Sequence, residues 1–284
     1  MELIKSLVGN TPLIRISYRI YAKLETYNPT GSVKDRMISY VVRKAQIHGK
    51  IDKDSILCEA TSGNTGIALS MAAAALGNSC VIFMPKNMSE ERKQMMRIYG
   101  AKIIEAPADD FLGAINMRDA FLKANHNAWS PKQFKNALNI ECHEKQTAPE
   151  IHKQVIDINL PWSAFIHGAG TGGTIEGVRR YLQKNNMKTK VCLVNPSESP
   201  HGIQGIADGK DFLFSSQNAD RIINISTSDA IQRAKDFARK TGILVGISSG
   251  ANLLAAERWI DDTHPRGIAV TMLCDRGERY MSIY

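Results

Sequence analysis

The segment Ser55-Ile-Leu-Cys-Glu-Ala-Thr-Ser-Gly-Asn-Thr-Gly-Ile-Ala-Leu-Ser-Met-Ala-Ala-Ala-Ala-Leu76 sets the fold class. A short apolar run gives way to a cluster of glycines and hydroxyls, and an alanine-rich stretch of helical length follows. This is strand, tight turn and helix, the first half of a βαβ unit. The same alternation repeats on both sides of it. Strands are expected at 20–25, 80–84, 103–106, 164–167, 191–194, 222–225, 243–247 and 268–273. Helices are expected from 33, over 65–76, 89–99 and 113–124, from 174, and over 228–240 and 250–259. Strands separated by helices pair in parallel, so the expectation is α/β, with twisted, mostly parallel sheets. A chain of 284 residues has room for two such lobes, and no Gly/Ser-rich linker separates them.

Composition excludes several function classes. Hydrophobic residues make up 43% and charged residues 23%, ordinary globular values. The longest apolar run, 67–76, is far short of the ~20 residues of a membrane span and reads as a buried helix. The N-terminus lacks a basic region leading into an apolar stretch, so nothing marks export and a cytoplasmic location is expected. The five cysteines, 58, 80, 142, 192 and 274, are never spaced as C-x-x-C, which argues against disulfides and structural zinc. Cys142-His143 reads as a solvated helix start rather than a ligand pair, and no metal is expected. The net charge of +8 comes without a dense basic run, so neither nucleic acid nor membrane is an expected partner.

In open α/β sheets ligands gather at the carboxyl ends of strands, and four strand-to-helix junctions here carry unusual chemistry. In Asn28-Pro-Thr-Gly-Ser-Val-Lys-Asp-Arg36, Ser32 can cap a helix whose first turn holds Lys34. The positive end of a helix dipole suits a nucleophilic amine better than a spectator cation, though an isolated lysine there is more often simple surface. Thr61-Ser-Gly-Asn-Thr-Gly66 can aim backbone N–H groups and hydroxyls into one anion site; a capped turn accounts for it equally. Gly168-Ala-Gly-Thr-Gly-Gly-Thr174 lets backbone approach a phosphate. It also satisfies the G-x-G-x-x-G dinucleotide pattern, but Asn195 stands at the end of the next strand where an acidic residue is expected, with Glu198 only beyond Pro196. In Gly246-Ile-Ser-Ser-Gly250 a serine hydroxyl can meet a ligand atom without adding charge, or Ser249 can simply cap the helix.

Taken in order, these junctions resemble the cysteine synthase and cystathionine β-synthase family, the fold type II pyridoxal-phosphate enzymes, with O-acetylserine sulfhydrylase the nearest pattern. The resemblance runs from Val8-Gly-Asn-Thr-Pro-Leu13 through Ser89-Glu-Glu-Arg92, Tyr99-Gly-Ala101, Gln133-Phe134, Pro149-Glu150 and Ile203-Gln-Gly205 to Gly277-Glu-Arg-Tyr280. It implies a tryptophan synthase β-like fold of two three-layer αβα lobes. One would span 36–143, with a mobile part near 78–122; the other would hold 1–35 and 144–284. It implies pyridoxal 5′-phosphate as cofactor, bound as a Schiff base to Lys34, which is also the catalytic base. Asn64 is implied to bond the cofactor's 3′ oxygen. Gly170, Thr171, Gly172, Gly173 and Thr174 are implied to cradle its phosphate, and Ser248 to meet its pyridine nitrogen. Thr61, Ser62, Gly63 and Thr65, with Gln133, are implied to take the substrate carboxylate.

The activity implied is β-replacement, forming L-cysteine from O-acetyl-L-serine and sulfide, in a homodimer. Cystathionine synthesis, use of O-phosphoserine, and sulfide release from cysteine stand as alternatives, and a non-catalytic binding protein as a remote one. The chain departs from the family pattern in a short 14–21 segment, in Asn195, and in Cys274-Asp-Arg-Gly277. No haem-binding extension or tandem regulatory domain is evident, which disfavours a heavily regulated cystathionine β-synthase.

Overall fold

The computed structural model describes residues 2–207 and 212–284, with only the backbone of residues 2, 3 and 5. In chain order the first elements are α1 (Glu2–Leu7), β1 (Leu13–Ser17), β2 (Ile20–Leu24), α2 (Lys34–Ile47), β3 (Ile56–Ala60), α3 (Asn64–Leu76) and β4 (Ser79–Pro85). There follow α4 (Glu90–Ile98), β5 (Lys102–Ala106), α5 (Phe111–Ala124), β6 (Ala128–Trp129), α6 (Ala137–Cys142), a π turn (His143–Thr147) and α7 (Ala148–Ile158). The last third holds β7 (Trp162–Gly168), α8 (Gly173–Lys184), β8 (Lys190–Pro196), β9 (Arg221–Ile225), α9 (Thr227–Thr241), α10 (Ile247–Thr263) and β10 (Ile268–Leu273).

Two compact units result. The first contains the N-terminal residues through Val8 together with Asn28–Gln133, and the second contains Gly9–Tyr27 with Phe134–Tyr284. These boundaries fall elsewhere than the 36–143 expected from sequence. The turn before α2 stays with its helix because Thr30 N donates to Asp35 Oδ2 at 2.6 Å. Residues 134–143 belong to the second unit because α6 packs against α8.

The first unit has a four-stranded parallel sheet in the order β5-β4-β3-β6. One face buries Cys58, Ala60, Val81 and Phe83 against Ala114 and Phe121 of α5. Successive residues of a strand face opposite ways, and α3 covers β3 and β4 with α2 packed on it in turn. The alanine-rich stretch is a buried helix as expected, with residues 67–73 all buried.

The second unit has a six-stranded sheet, β1-β2-β10-β7-β8-β9. Its strands run parallel except β1, which pairs antiparallel with β2 in a short hairpin interrupted near Arg15 to Ser17. The shortened 14–21 segment thus forms an edge hairpin. Ile166, Val194, Ile223 and Ile225 pack against Ala251, Ala255 and Trp259 of α10, and α8 lies against β7 and β8. Mixed α/β layering with parallel sheets is therefore present, as the alternation predicts.

One expected strand does not form. Residues 243–247 make only an isolated bridge, Val245 to Arg276, and α10 already begins at Ile247. Their backbone groups are taken by the C-terminal segment instead: Gly277 N donates to Leu244 O at 3.2 Å, Gly246 N to Asp275 O at 3.0 Å, and Tyr284 Oη to Val245 O. An apolar run with good strand propensity is thus held as a loop by tertiary partners.

None of the five cysteines is in a disulfide, and Cys58, Cys80, Cys142 and Cys192 are buried. Burial pushes the thiols of Cys58, Cys80 and Cys192 up to about 12. At pH 8 each is a thiolate about one part in 10⁴ of the time, so attack on a disulfide reagent is suppressed by both access and ionisation. The expected result of thiol titration on the native protein is fast reaction at the half-buried Cys274 alone, with the others reacting only in denaturant. Rapid native labelling at 58, 80 or 192, located by peptide mapping, would contradict these positions.

Candidate active site

In the first unit, Lys34 is the first residue of α2 and half-buried. The preceding turn is built for that entry. Gly31 adopts φ 79°, a left-handed conformation in which a side chain is disfavoured, and its N–H donates to Asn28 O at 2.7 Å. The N-cap of α2 is Val33 rather than Ser32, and Ser32 Oγ, one residue earlier, accepts from Lys34 N at 3.3 Å.

The 61–66 turn joins β3 to α3. Gly63 N donates to Thr61 Oγ1 at 3.1 Å, and Asn64 and Thr65 open the helix. Thr65 Oγ1 donates to Gln133 Oε1 at 2.6 Å, so the fold brings together two residues 68 positions apart. Gln133 is itself anchored, with its backbone N–H donating to Glu59 Oε2 at 3.1 Å and its Nε2 to Ala60 O at 3.4 Å.

Two supports of this turn have no role that the sequence assigns. Arg92 of α4 is buried, and its Nη1 donates to Ser62 O at 3.3 Å. A Cβ added at Gly63 would lie 2.6 Å from Arg92 Cδ, so the glycine lets the arginine stem lie flat beneath the turn. Behind Gln133, the buried Glu59 pairs with Arg118 of α5 at 2.6 Å and accepts Ala60 N at 2.8 Å. Burial pushes the Glu59 carboxyl up, while Arg118 and the two backbone amides oppose that shift.

In the second unit, the 168–174 turn runs from the end of β7 into α8. Gly172 has φ 85° and precedes the helix. The turn is packed closely onto its own unit. An added Cβ would come within 2.5 Å of Gly205 O at Gly170, 2.6 Å of Phe214 N at Gly172, and 2.1 Å of Asn139 Oδ1 at Gly173. The first-turn amides of α8 have no intrahelical partner; Gly173 N donates to Thr171 Oγ1 at 3.2 Å, and Thr174 carries the turn's second hydroxyl. Amides at the positive end of a 12-residue helix, together with two hydroxyls, suit a dianionic phosphate. The residues present therefore fit a phosphate-bearing cofactor.

Ser248 lies buried in the first turn of α10. One turn further along, Asn252 Oδ1 accepts Gly168 N at 3.0 Å, which ties that helix to the start of the phosphate turn. Ser249 does not cap the helix. Its Oγ accepts Cys274 N at 2.9 Å and so holds the C-terminal junction in place.

His143 is not a solvated helix start, as the sequence suggested. It is buried, with Nε2 3.2 Å from Thr174 Oγ1 and Nδ1 2.9 Å from Thr147 Oγ1. Among the described residues no cluster of three or more His, Cys, Asp or Glu side chains has metal-site geometry, and no helix is long and apolar enough to cross a membrane.

The comparisons with known proteins agree with this geometry. The profile of the pyridoxal-phosphate dependent enzymes matches residues 4–275. Cysteine synthase B of Campylobacter jejuni is 38% identical over 99% of this chain and 97% of its own. A hydrogen sulfide-producing enzyme from Fusobacterium nucleatum superposes with a TM-score of 0.91 at 35% identity, covering 98% of this chain and 99% of that one. An O-acetylserine dependent cystathionine beta-synthase from Helicobacter pylori gives 0.88 at 31%, covering 99% and 97%. With a strand-to-helix turn shaped for a phosphate and relatives of this similarity along nearly their whole lengths, the chain belongs to the pyridoxal-phosphate dependent enzymes, in the cysteine synthase family.

Proposed function

We propose that the chain makes L-cysteine by β-replacement, exchanging the acetoxy group of O-acetyl-L-serine for sulfide. The observation that carries this reading is similarity to cysteine synthases along nearly the full chain, with Lys34 at the start of α2 and Thr65 already bonded to Gln133. Pyridoxal phosphate, when bound, supplies an electron sink for the charge left at Cα after its proton departs.

The chain's own groups do the rest. Lys34 Nζ would hold the aldehyde end of the cofactor, and it would be the base that takes the proton from the substrate's Cα. Thr61, Ser62, Gly63 and Thr65, with Gln133, hold the substrate carboxylate, so that the Cα–H bond faces that amine. Asn64 would bond the cofactor's 3′ oxygen, while Gly170, Thr171, Gly172, Gly173 and Thr174 would seat its phosphate. Ser248 offers the pyridine nitrogen a neutral hydroxyl. A neutral partner in place of a carboxylate would leave the bound group a weaker electron sink, which would favour loss of the β-substituent over transamination. Acetate leaves with its bonding pair, hydrosulfide forms the new C–S bond at Cβ, and Lys34 returns the proton to Cα. The same resemblance implies a homodimer acting in the cytoplasm, and sedimentation velocity measures the first of these.

The decisive assay compares kcat/KM for O-acetylserine, O-phosphoserine and serine as donors, each with sulfide and with homocysteine. O-acetylserine with sulfide is expected to lead. Faster cystathionine formation from serine would replace this reading. Likeness to the sulfide-producing enzyme favours a second reading, cysteine cleavage, and sulfide release from cysteine alone at a higher kcat/KM would establish it.

Thr65→Val removes the hydroxyl that orients Gln133. KM for the amino-acid donor is expected to rise about tenfold or more, from the loss of hydrogen bonds to a charged carboxylate, with KM for sulfide unchanged. A donor KM within twofold of wild type would remove Thr65 from the carboxylate site.

A further inference from the structure

The two hydroxyl-bearing residues of the phosphate turn are each held from behind by one helical face. Asn139, His143 and Thr147 recur at four-residue spacing along α6 and the π turn. Asn139 Nδ2 donates to Thr171 Oγ1 at 3.0 Å, and His143 Nε2 lies 3.2 Å from Thr174 Oγ1. Thr147 Oγ1 meets the other ring nitrogen of His143 at 2.9 Å and so fixes the plane of the imidazole. All three side chains are at least 98% buried, where a misdirected polar group is costly.

Close approach of this face to α8 depends on two glycines a turn apart. An added Cβ at Gly173 would lie 2.1 Å from Asn139 Oδ1, and one at Gly177 would lie 2.6 Å from His143 Cβ. The π turn starts at His143 itself, and single π turns inside helices are a recurrent feature of functional sites.

We propose that His143 and Asn139 are positioning residues for cofactor phosphate. Each sets the rotamer of one threonine hydroxyl, so that Thr174 and Thr171 turn their remaining hydrogen-bonding capacity toward the anion. The inference rests on the reading of residues 170–174 as the phosphate seat. A hydroxyl free to rotate would first have to be ordered by the ligand; one held by an imidazole or an amide is ordered beforehand, and the phosphate binds more tightly for it. Both residues act through a threonine of the turn, so the effect is expected at the phosphate end.

The experiment uses the full-length protein, stripped of cofactor and titrated with pyridoxal phosphate and, separately, with pyridoxal. The variants are Thr174→Ala, His143→Ala, His143→Gln and the double variant Thr174→Ala/His143→Ala. Binding is read by visible absorbance, and the bound phosphate by its ³¹P chemical shift. His143→Ala is expected to weaken pyridoxal phosphate about ten- to a hundredfold, the range for hydrogen bonds to a charged group, and to move the ³¹P resonance while leaving pyridoxal affinity within twofold. His143→Gln, whose amide can still bond the hydroxyl, restores most of the loss. The double variant is no weaker than Thr174→Ala alone.

Equal weakening of both ligands by His143→Ala would mean general structural damage and would overturn the proposal. So would additive losses in the double variant. An unchanged pyridoxal-phosphate affinity in Thr174→Ala would instead reject the phosphate seat itself, a failure recognisable apart from that of His143.

Discussion

Lys34→Ala is expected to abolish cysteine formation while leaving the fold intact. If Lys34 has the role proposed for it, losing the base costs about 10²- to 10⁴-fold from proton transfer alone, and losing a covalent link to the cofactor adds to this. The fold should survive because Lys34 is the half-buried first residue of α2, and the turn before it is held by others: Ser32 Oγ on the Lys34 backbone N–H, Thr30 on Asp35, Gly31 on Asn28. Alanine is also the best helix former, so nothing is lost in α2 itself. Circular dichroism and thermal melting of the cofactor-free variant should match wild type. Pyridoxal phosphate should still bind through its phosphate, but without the absorbance shift that marks attachment to an amine. Turnover within tenfold of wild type would assign the proton transfer to another group.

Much of this architecture is legible in the sequence because strand and helix periodicities differ and the junctions between them are glycine-rich. The stretch from 55 to 76 shows this: Ile56–Ala60 and Asn64–Leu76 form where the alternation puts them. Residues 243–247 show the limit. Their strand-like composition is real, but Tyr284 and the 275–277 backbone claim the groups a neighbouring strand would need, and no local pattern records that. The contact between Thr65 and Gln133 was accessible only through family resemblance, since nothing in the spacing of the two residues implies it. The supporting layer was less accessible still. Asn139, His143 and Thr147 do form a four-residue repeat, a signal available in the sequence, yet a polar stripe on a helix ordinarily faces water. Only the opposing Gly173 and Gly177 on α8 turn that stripe inward, and pairing two faces so far apart in sequence requires the fold. Arg92 and the Glu59–Arg118 pair are hidden for a similar reason, because a charged residue is expected at the surface until its partner is located.

That last pair carries the largest expected effect on stability. Glu59 is wholly buried at the end of β3, and Arg118 of α5 is its one guanidinium partner among the contacts described. Arg118→Met keeps the apolar stem against the sheet and removes the charge. A carboxylate left in that place lacks compensation, and breaking one side of a buried pair costs about 3–5 kcal/mol, a fall in Tm on the order of 10 °C for a chain of this size. The pH dependence is diagnostic. Burial already raises the Glu59 carboxyl above its ordinary range, and removing Arg118 takes away the main opposing influence. A carboxyl with a raised folded pKa binds more protons folded than unfolded, so its contribution is fully present below the unfolded pKa and is lost as pH rises through the folded one. The deficit of Arg118→Met relative to wild type should therefore be small near pH 4 and grow toward neutrality. Because Glu59 Oε2 also holds Gln133 N, the donor KM should rise along with it, whereas the double variant Glu59→Gln/Arg118→Met, having no charge to bury, should recover most of the stability. Denaturant unfolding across that pH range compares both variants with wild type. A loss below 1 kcal/mol, or one independent of pH, would show that Glu59 is not carried as a paired carboxylate in the native protein.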